Sequence, residues 1–264
     1  MRTVTSNDGT TIAFDQSGAG PAVLLVGGAL SDRAAAAPMA TLLAPHFTVI
    51  NYDRRGRGDS GDTRPYAVER EVEDIAALIA AVGGSAYVFA KSSGAALALE
   101  AANRGLPITK LALYEPPFIV DDARKPIPEG YVAHLGELAV SGRRGEAVEY
   151  FLANAVEVPP EALAQMRQAP MWPAMEAMAH TLAYDGAIME GNMVGTPFSP
   201  GQWAVVTIPT LVMDGGDSSL WMHHAAQAVA DTLPNARRLT LEGQTHTVDP
   251  NTIVPVLAKF FANE

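Results

Sequence analysis

The chain of 264 residues has a formal net charge of −11 at pH 7, with 48% hydrophobic and 18% charged residues and no Cys. This composition indicates one large domain, or a domain with an insertion, and excludes extensive disorder. The acidic charge argues against nucleic acid and anionic membranes as partners, and the lack of Cys excludes disulfides and thiolate chemistry. Neither a secretory signal nor a transmembrane-length apolar run is visible, so we expect no membrane association and a cytoplasmic location.

The first part of the chain alternates between predicted strands and helices. The stretch 3–18 is typical of a hairpin, because Asn7-Asp8-Gly9 has favourable turn chemistry. Continuous apolar runs predict buried strands, and apolar residues at helical spacing predict helices that stop at glycines. The strands are expected at 21–28, 47–53, 86–90 and 108–115, and the helices at 68–84 and 94–105. This alternation predicts an α/β fold with a doubly wound, mostly parallel sheet.

The pattern changes between residues 118 and 200, where the sequence predicts helices and no strand. Alternation then returns, with predicted strands at 206–216 and 236–243 and predicted helices at 221–233 and 252–263. We therefore predict a core formed by 1–117 and 201–264, with a helical cap inserted at 118–200.

The most informative short stretch is Ala90-Lys91-Ser92-Ser93-Gly94, which lies between an apolar strand and a helix. A strand, a tight turn with small residues and a helix form the context of a nucleophile elbow, G-x-S-x-G, with Ala90 replacing the first glycine. Such a turn would place the Ser92 hydroxyl above the carboxyl ends of the strands. An ordinary β-α turn with two solvated serines is the alternative. Lys91 is expected to reach solvent, or else to pair with a carboxylate or tune a nearby imidazole.

Four stretches, in the right order and spacing, resemble landmarks of the α/β-hydrolase family. They are the oxyanion loop "LLVGGALSD" (24–32), the D-x-R-G-x-G-x-S stretch "YDRRGRGDSG" (52–61), the elbow "FAKSSGAAL" (89–97) and the late histidine loop "LEGQTHTVDP" (241–250). The resemblance implies Ser92 as nucleophile and His246 as general base. It also implies an oxyanion hole made by the backbone N–H groups of Ala29 and Ser93.

The acid that would orient His246 has three candidates. Glu115 ends an apolar strand in "LYEPPF", a position similar to that of the acid in lactone hydrolases of the zearalenone type. Asp217 and Asp214 follow a later strand, near the family's G-x-x-D pattern, but Ser218 stands where that aspartate is expected. We favour Glu115, with Asp217 as the alternative acid and Asp214 third.

The resemblance implies a serine hydrolase that cleaves a carboxylic ester or lactone of a mainly apolar small molecule. The expected substrate-binding residues are Gly28 and Leu30 in the oxyanion loop and Met171, Trp172 and Met175 in the cap. For the three cap side chains, packing in the protein core is the alternative role. We expect no cofactor and no metal site, since the adjacent His223 and His224 do not share a helix face. There are two alternative functions: a cofactor-free lyase similar to hydroxynitrile lyases, and a protein that binds an apolar ligand without turnover. The sequence does not decide whether the chain forms a homodimer.

Overall fold

A computed structural model describes residues 1–262 of the chain. In the described residues, eight strands form one sheet: β1 (Arg2–Thr5), β2 (Thr11–Ser17), β3 (Ala22–Val26), β4 (Thr48–Tyr52), β5 (Ala86–Lys91), β6 (Ile108–Tyr114), β7 (Thr210–Gly215) and β8 (Ala236–Leu241). Their order across the sheet is β1-β2-β4-β3-β5-β6-β7-β8. The β1-β2 and β2-β4 pairs are antiparallel and the other pairs are parallel.

Ten α-helices connect these strands in the described part of the chain. They are α1 (Arg33–Leu43), α2 (Val68–Ala81), α3 (Ser93–Asn103), α4 (Tyr131–Val140), α5 (Arg144–Asn154), α6 (Pro160–Met166), α7 (Trp172–Met178), α8 (Leu182–Ile188), α9 (Leu220–Thr232) and α10 (Pro250–Ala262). A short 3₁₀ helix, Ala179–Thr181, joins α7 to α8.

Helices cover both faces of the sheet. On one face, apolar side chains of α2, α3 and α9 pack against the strands in one cluster that includes Ile75, Leu97 and Val229. On the other face, α1 and α10 bury Leu43 and Leu257 in a second cluster. The predicted class, an α/β fold with a doubly wound and mostly parallel sheet, is therefore confirmed. The parallel strands end together at one edge, where such sheets carry their ligand sites.

Some boundaries differ from the sequence expectations. Helix α1 was not predicted, because its alanine-rich sequence lacks a clear apolar period; Asp32 caps it by accepting the Ala34 N–H at 2.9 Å. Strand β7 begins at Thr210, four residues later than expected, directly after Pro209, which cannot donate to a strand ladder. The predicted ends of the closing helix at 263 and of the core at 264 lie outside the described residues.

Between β6 and β7 the described chain contains helices and no strand. Helices α4 to α8 bury a cluster of their own, which includes Tyr131, Leu152, Trp172 and Leu182. Helix α8 also packs against α2 and α3 of the sheet-covering layer. None of the helices in residues 1–262 combines the length and apolar character needed to cross a membrane.

The β1-β2 hairpin is tied to the loop after β4 by Asp8. One oxygen of this carboxylate accepts a hydrogen bond from the Arg55 guanidinium at 2.9 Å, and the other accepts the Thr10 N–H at 3.0 Å. Arg55 is buried and also binds Asp74. Burial by itself would raise the pKa of Asp8, but the hydrogen bonds from Arg55 and Thr10 hold it below its ordinary value. Asp8 is therefore ionised and contributes to the stability of the fold.

We expect Asp8→Asn to lower the free energy of unfolding by about 1–3 kcal/mol at pH 7, because a hydrogen bond to a charged group is lost. Because folding lowers the pKa of Asp8, its contribution is present above the ordinary value of 3.8 and is lost as the pH falls below it. The difference between wild type and variant should therefore shrink from pH 5 downward in urea titrations. Asp122→Asn, at an exposed loop position, is the control. A difference that does not change with pH would contradict this account.

Candidate active site

Ser92 lies in a strained turn between β5 and α3. Its backbone has φ 58° and ψ −134°, outside the regions that residues other than glycine usually adopt. Such conformations cost on the order of 1–3 kcal/mol and persist only where the surroundings impose them. Here the Ser92 N–H donates to Tyr114 O at 2.9 Å and Ser92 O accepts the Ala95 N–H at 2.8 Å. The turn therefore has the strand-turn-helix geometry of a nucleophile elbow.

Two glycines allow the loop after β3 to approach this turn. A Cβ atom on Gly94 would lie 2.4 Å from Gly27 O and 2.6 Å from Val26 O. A Cβ atom on Gly28 would lie 2.8 Å from Ser92 Cβ. Larger residues at either position would therefore push the loop away. With glycine at both positions, the loop 27–29 can lie directly against Ser92.

His246 is held by Glu115, which follows β6. The two side chains meet with Nδ1 and Oε2 2.6 Å apart, although 131 residues separate them in sequence. The Glu115 carboxylate is fully buried, and its other oxygen accepts the Gly215 N–H at 2.8 Å. Burial alone would raise the pKa of Glu115, but the hydrogen bonds from His246 and Gly215 lower it below its ordinary value. An ionised Glu115 can only accept, so Nδ1 of His246 carries the hydrogen. In the neutral imidazole, the lone pair is then on Nε2.

The loop that carries His246 is fixed by its neighbours. The Tyr114 hydroxyl donates to Thr245 O at 2.5 Å, and the Asp217 N–H donates to Gln244 O at 2.9 Å. Gly215 permits this close packing, since a Cβ atom there would lie 2.3 Å from Gln244 O. The ends of β6 and β7 therefore both position the imidazole.

The other two predicted acids do not contact His246. Asp214 is buried and binds the Arg238 guanidinium at 2.7 and 2.8 Å, and it also bonds to His223. Asp217 is exposed, and among the described residues its carboxylate has no hydrogen bond or ion pair. Of the three candidates, the structure thus brings only Glu115 to the imidazole.

A cavity of about 420 Å³ opens at this edge of the sheet. Ser92 and His246 line it, together with Ala29 and Ser93, whose backbone N–H groups were the predicted oxyanion donors. Most of the wall is apolar and comes from the helical segment and α9: Phe151, Met189, Met193, Trp221 and Met222. The Ser92 hydroxyl makes no hydrogen bond to a described residue.

The predicted substrate-binding residues lie elsewhere. Gly28 packs against Ser92 but does not line the cavity, and neither does Leu30. Met171 is 58% exposed, whereas Trp172 and Met175 are buried in the core of the helical segment. The Trp and Met pattern at 169–180 therefore builds the interior of this segment. The sequence did carry a signal for the cavity wall, because Trp221 and Met222 stand at the start of α9, just beyond the carboxyl end of β7.

Lys91 is partly buried beside the elbow. Burial lowers the pKa of its ammonium, and the nearby charge of Glu115 opposes this shift. Within the described residues the ammonium forms no hydrogen bond or ion pair, so the ion pair considered from the sequence is not seen.

A buried ionic cluster that was not expected from the sequence lies next to the elbow and consists of Arg54, Arg57, Glu71 and Asp185. Each of these side chains is at most 2% exposed. Arg54 binds both Glu71 and Asp185, and Arg57 binds Asp185, all at 2.7 Å. The stretch 52–61 was interpreted only as a family landmark, but guanidiniums next to a buried strand need partner carboxylates, and this was the available signal. No group of three or more His, Asp or Glu side chains in residues 1–262 could hold a metal ion.

Comparison with known proteins gives consistent results. A family model described as "Alpha/beta hydrolase family" matches residues 22–252. The solved structure of an alpha/beta hydrolase from Sphaerobacter thermophilus DSM 20745 is 62% identical, covers 99% of this chain and 100% of that chain, and superposes with a TM-score of 0.91. The enol-lactonase of Burkholderia xenovorans LB400 is 21% identical, with 99% and 100% coverage and a TM-score of 0.73, a likeness of fold alone.

The N-formylmaleamate deformylase of Pseudomonas putida KT2440 is 32% identical over 144 residues, which are 52% of this chain and 53% of the deformylase. The chain spans 53% of the length of this deformylase and 35% of the length of a second curated relative. The matched family model covers most of the chain. The fold of the chain and the strained turn at Ser92 agree with that match. The chain belongs to the alpha/beta hydrolase family.

Proposed function

We propose that this protein is a serine hydrolase that cleaves a carboxylic ester or lactone of a mainly apolar small molecule. The observation that carries the proposal is the Glu115–His246 hydrogen bond of 2.6 Å, which fixes the imidazole so that, in its neutral form, Nε2 can accept a proton beside a cavity that Ser92 also lines. The enol-lactonase and the deformylase among the compared proteins act on acyl compounds by their names, which is compatible with this chemistry.

In the proposed reaction, the Ser92 oxygen attacks the carbonyl carbon while its proton passes to Nε2 of His246. The carbonyl oxygen becomes an oxyanion that accepts hydrogen bonds from the N–H groups of Ala29 and Ser93. His246 then gives its proton to the leaving alkoxide oxygen, and an acyl-enzyme on Ser92 remains. A water molecule attacks the acyl carbon, its proton passes to His246, and the acid and the Ser92 hydroxyl are released.

Glu115 would stabilise the imidazolium that forms in both steps. Its lowered pKa keeps it ionised, so it interacts favourably with the positive charge without taking the proton. We propose that the helices between β6 and β7 act as a cap, since Phe151, Met189 and Met193 from this segment line one side of the cavity. The apolar wall favours a substrate with an apolar acyl or alcohol group.

Exposure of the protein to a fluorophosphonate tests the activated serine without a known substrate. The Ser92 oxygen would bond to phosphorus while fluoride leaves, and the intact mass would rise by one phosphonyl group. We expect one adduct on the wild type and none on Ser92→Ala. A folded wild-type protein that stays unlabelled would contradict the proposal and favour the lyase or the ligand-binding alternative.

The rate of this labelling distinguishes Glu115 from Asp217 as the acid that orients His246. We expect Glu115→Gln to slow it by about 10²–10⁴-fold, because an amide does not stabilise the imidazolium or hold its tautomer. Asp217→Asn is the matched control and should change the rate less than about threefold, since its carboxylate does not touch His246. Equal losses in the two variants would exclude Glu115 as the orienting acid.

The charge of the cavity predicts which esters react. Among the described lining residues there is no Lys or Arg, while Asp185, Glu157 and Asp217 contribute carboxylates. Asp185 is paired with Arg54 and Arg57, and Glu157 lies 3.7 Å from Arg124, so Asp217 is the carboxylate of the three without an ion pair among the described residues. We expect 4-nitrophenyl pentanoate to have a kcat/KM about tenfold or more above that of mono-4-nitrophenyl glutarate, whose acyl chain ends in a carboxylate, because like charges repel.

The gap between these two esters should narrow in Asp217→Asn and at high salt, and it should persist in Asp122→Asn, which changes a carboxylate outside the cavity. A preference for the glutarate ester would show that a cationic group reaches the acyl site and would overturn the charge argument.

A further inference from the structure

Asp185, in α8, connects the helical segment to the elbow through its side chain. One carboxylate oxygen accepts hydrogen bonds from the Ser93 hydroxyl and from Arg54, both at 2.7 Å. The other oxygen accepts a hydrogen bond from Arg57 at 2.7 Å. Ser93 is the residue after the proposed nucleophile and a proposed oxyanion donor, so Asp185 fixes its side chain from 92 residues away.

The charge of Asp185 is secure although the carboxylate is 1% exposed. Burial alone would raise its pKa, but the charges of Arg57 and Arg54 and the Ser93 hydrogen bond lower it below the ordinary value. Arg54 has Glu71 as a second partner, so two guanidiniums face two carboxylates. A paired cluster of this kind is rigid, because moving any member would leave a buried charge without a partner.

The same arginines bind the loop that carries the second proposed oxyanion donor. Arg57 donates to Gly28 O, which also accepts the Ser31 hydroxyl at 2.7 Å. Arg54 donates to Gly27 O at 3.3 Å. In a trans peptide the carbonyl and the next N–H point in opposite directions. Two donors on Gly28 O therefore aim the Ala29 N–H away from Arg57, and Ala29 lines the cavity.

We infer that Asp185 is a positioning residue that sets both oxyanion donors: the Ser93 N–H through the Ser93 hydroxyl, and the Ala29 N–H through Arg57. The inference rests on the proposed function, because it concerns the oxyanion hole of that reaction. It adds that the packing of α8 against α2 and α3 determines the geometry of the hole. Asp185 touches no reacting atom in this scheme and acts only through its partners.

The rate constant of fluorophosphonate inactivation tests this, because the phosphonyl oxygen occupies the oxyanion hole during attack. Ser93→Ala removes the hydroxyl contact and keeps the backbone N–H. We expect its maximal inactivation rate to fall about tenfold, with a smaller change in the half-saturating probe concentration, since misaimed donors act mainly on the transition state. Asp185→Asn, if it folds, should lose about 10²-fold.

Thr181→Val is the matched control. Thr181 Oγ1 accepts a hydrogen bond from Nε of Arg57 at 3.2 Å and donates to Met178 O at 2.8 Å, but it makes no hydrogen bond to the loop 27–29 or to Ser93. This variant should lower the midpoint of thermal unfolding to a similar degree as Ser93→Ala and keep the inactivation rate within about twofold. If Ser93→Ala loses stability but reacts at the wild-type rate, the contact is only structural and the inference is wrong.

The two proposals fail in different ways. A wild-type protein that does not react with the probe rejects the proposed function and the inference with it. A wild-type protein that reacts, together with a Ser93→Ala variant that reacts equally fast, rejects the inference alone. If Asp185→Asn does not fold, the comparison of Ser93→Ala with Thr181→Val still decides the question.

Discussion

The buried ion pairs of Asp185 with Arg54 and Arg57 are the constraint on which the arrangement of the site depends. Removing one partner from such a cluster typically destabilises a protein by about 3–5 kcal/mol, whereas replacing the whole cluster by apolar residues is often neutral. Stability alone therefore explains poorly why the protein has a buried charged cluster here. The geometry of the cluster explains it better, because these side chains join α8, the loop after β3 and the residue after Ser92 at one point.

The strained turn at Ser92 depends on how the neighbouring strand and loop pack against it. A positive φ at a serine is unfavourable, and here it is imposed by strand pairing at Tyr114 and by the contact of Gly94 with the backbone of residues 26 and 27. Glu115, the next residue after Tyr114, also has a positive φ, of 48°. The residues at the ends of β5 and β6 thus share one strained edge, where the carboxylate of Glu115 meets His246 and where Ser92 and His246 line the same cavity.

The fold and the candidate site residues Ser92 and Glu115 could be predicted from the sequence for a physical reason. Buried parallel strands are continuous apolar runs, and polar residues placed where such runs end, as Ser92 and Glu115 are, stand out. The cavity wall was not accessible in this way. Phe151, Met193 and Trp221 come from distant segments and meet only through tertiary packing. The Trp172 and Met175 pattern was equally apolar but proved to be the interior of the helical segment.

The position of Glu115 after β6 has a consequence for how this cavity can diversify. In a chain whose orienting acid followed β7, the loop after that strand would be bound to the histidine by its side chain. Here the loop contributes to that region through backbone groups of Gly215 and Asp217, while the exposed residues Asp217 and Ser219 line the cavity. These two positions can therefore drift, or be randomised in a library, to select new ligands without disturbing the contact between Glu115 and His246.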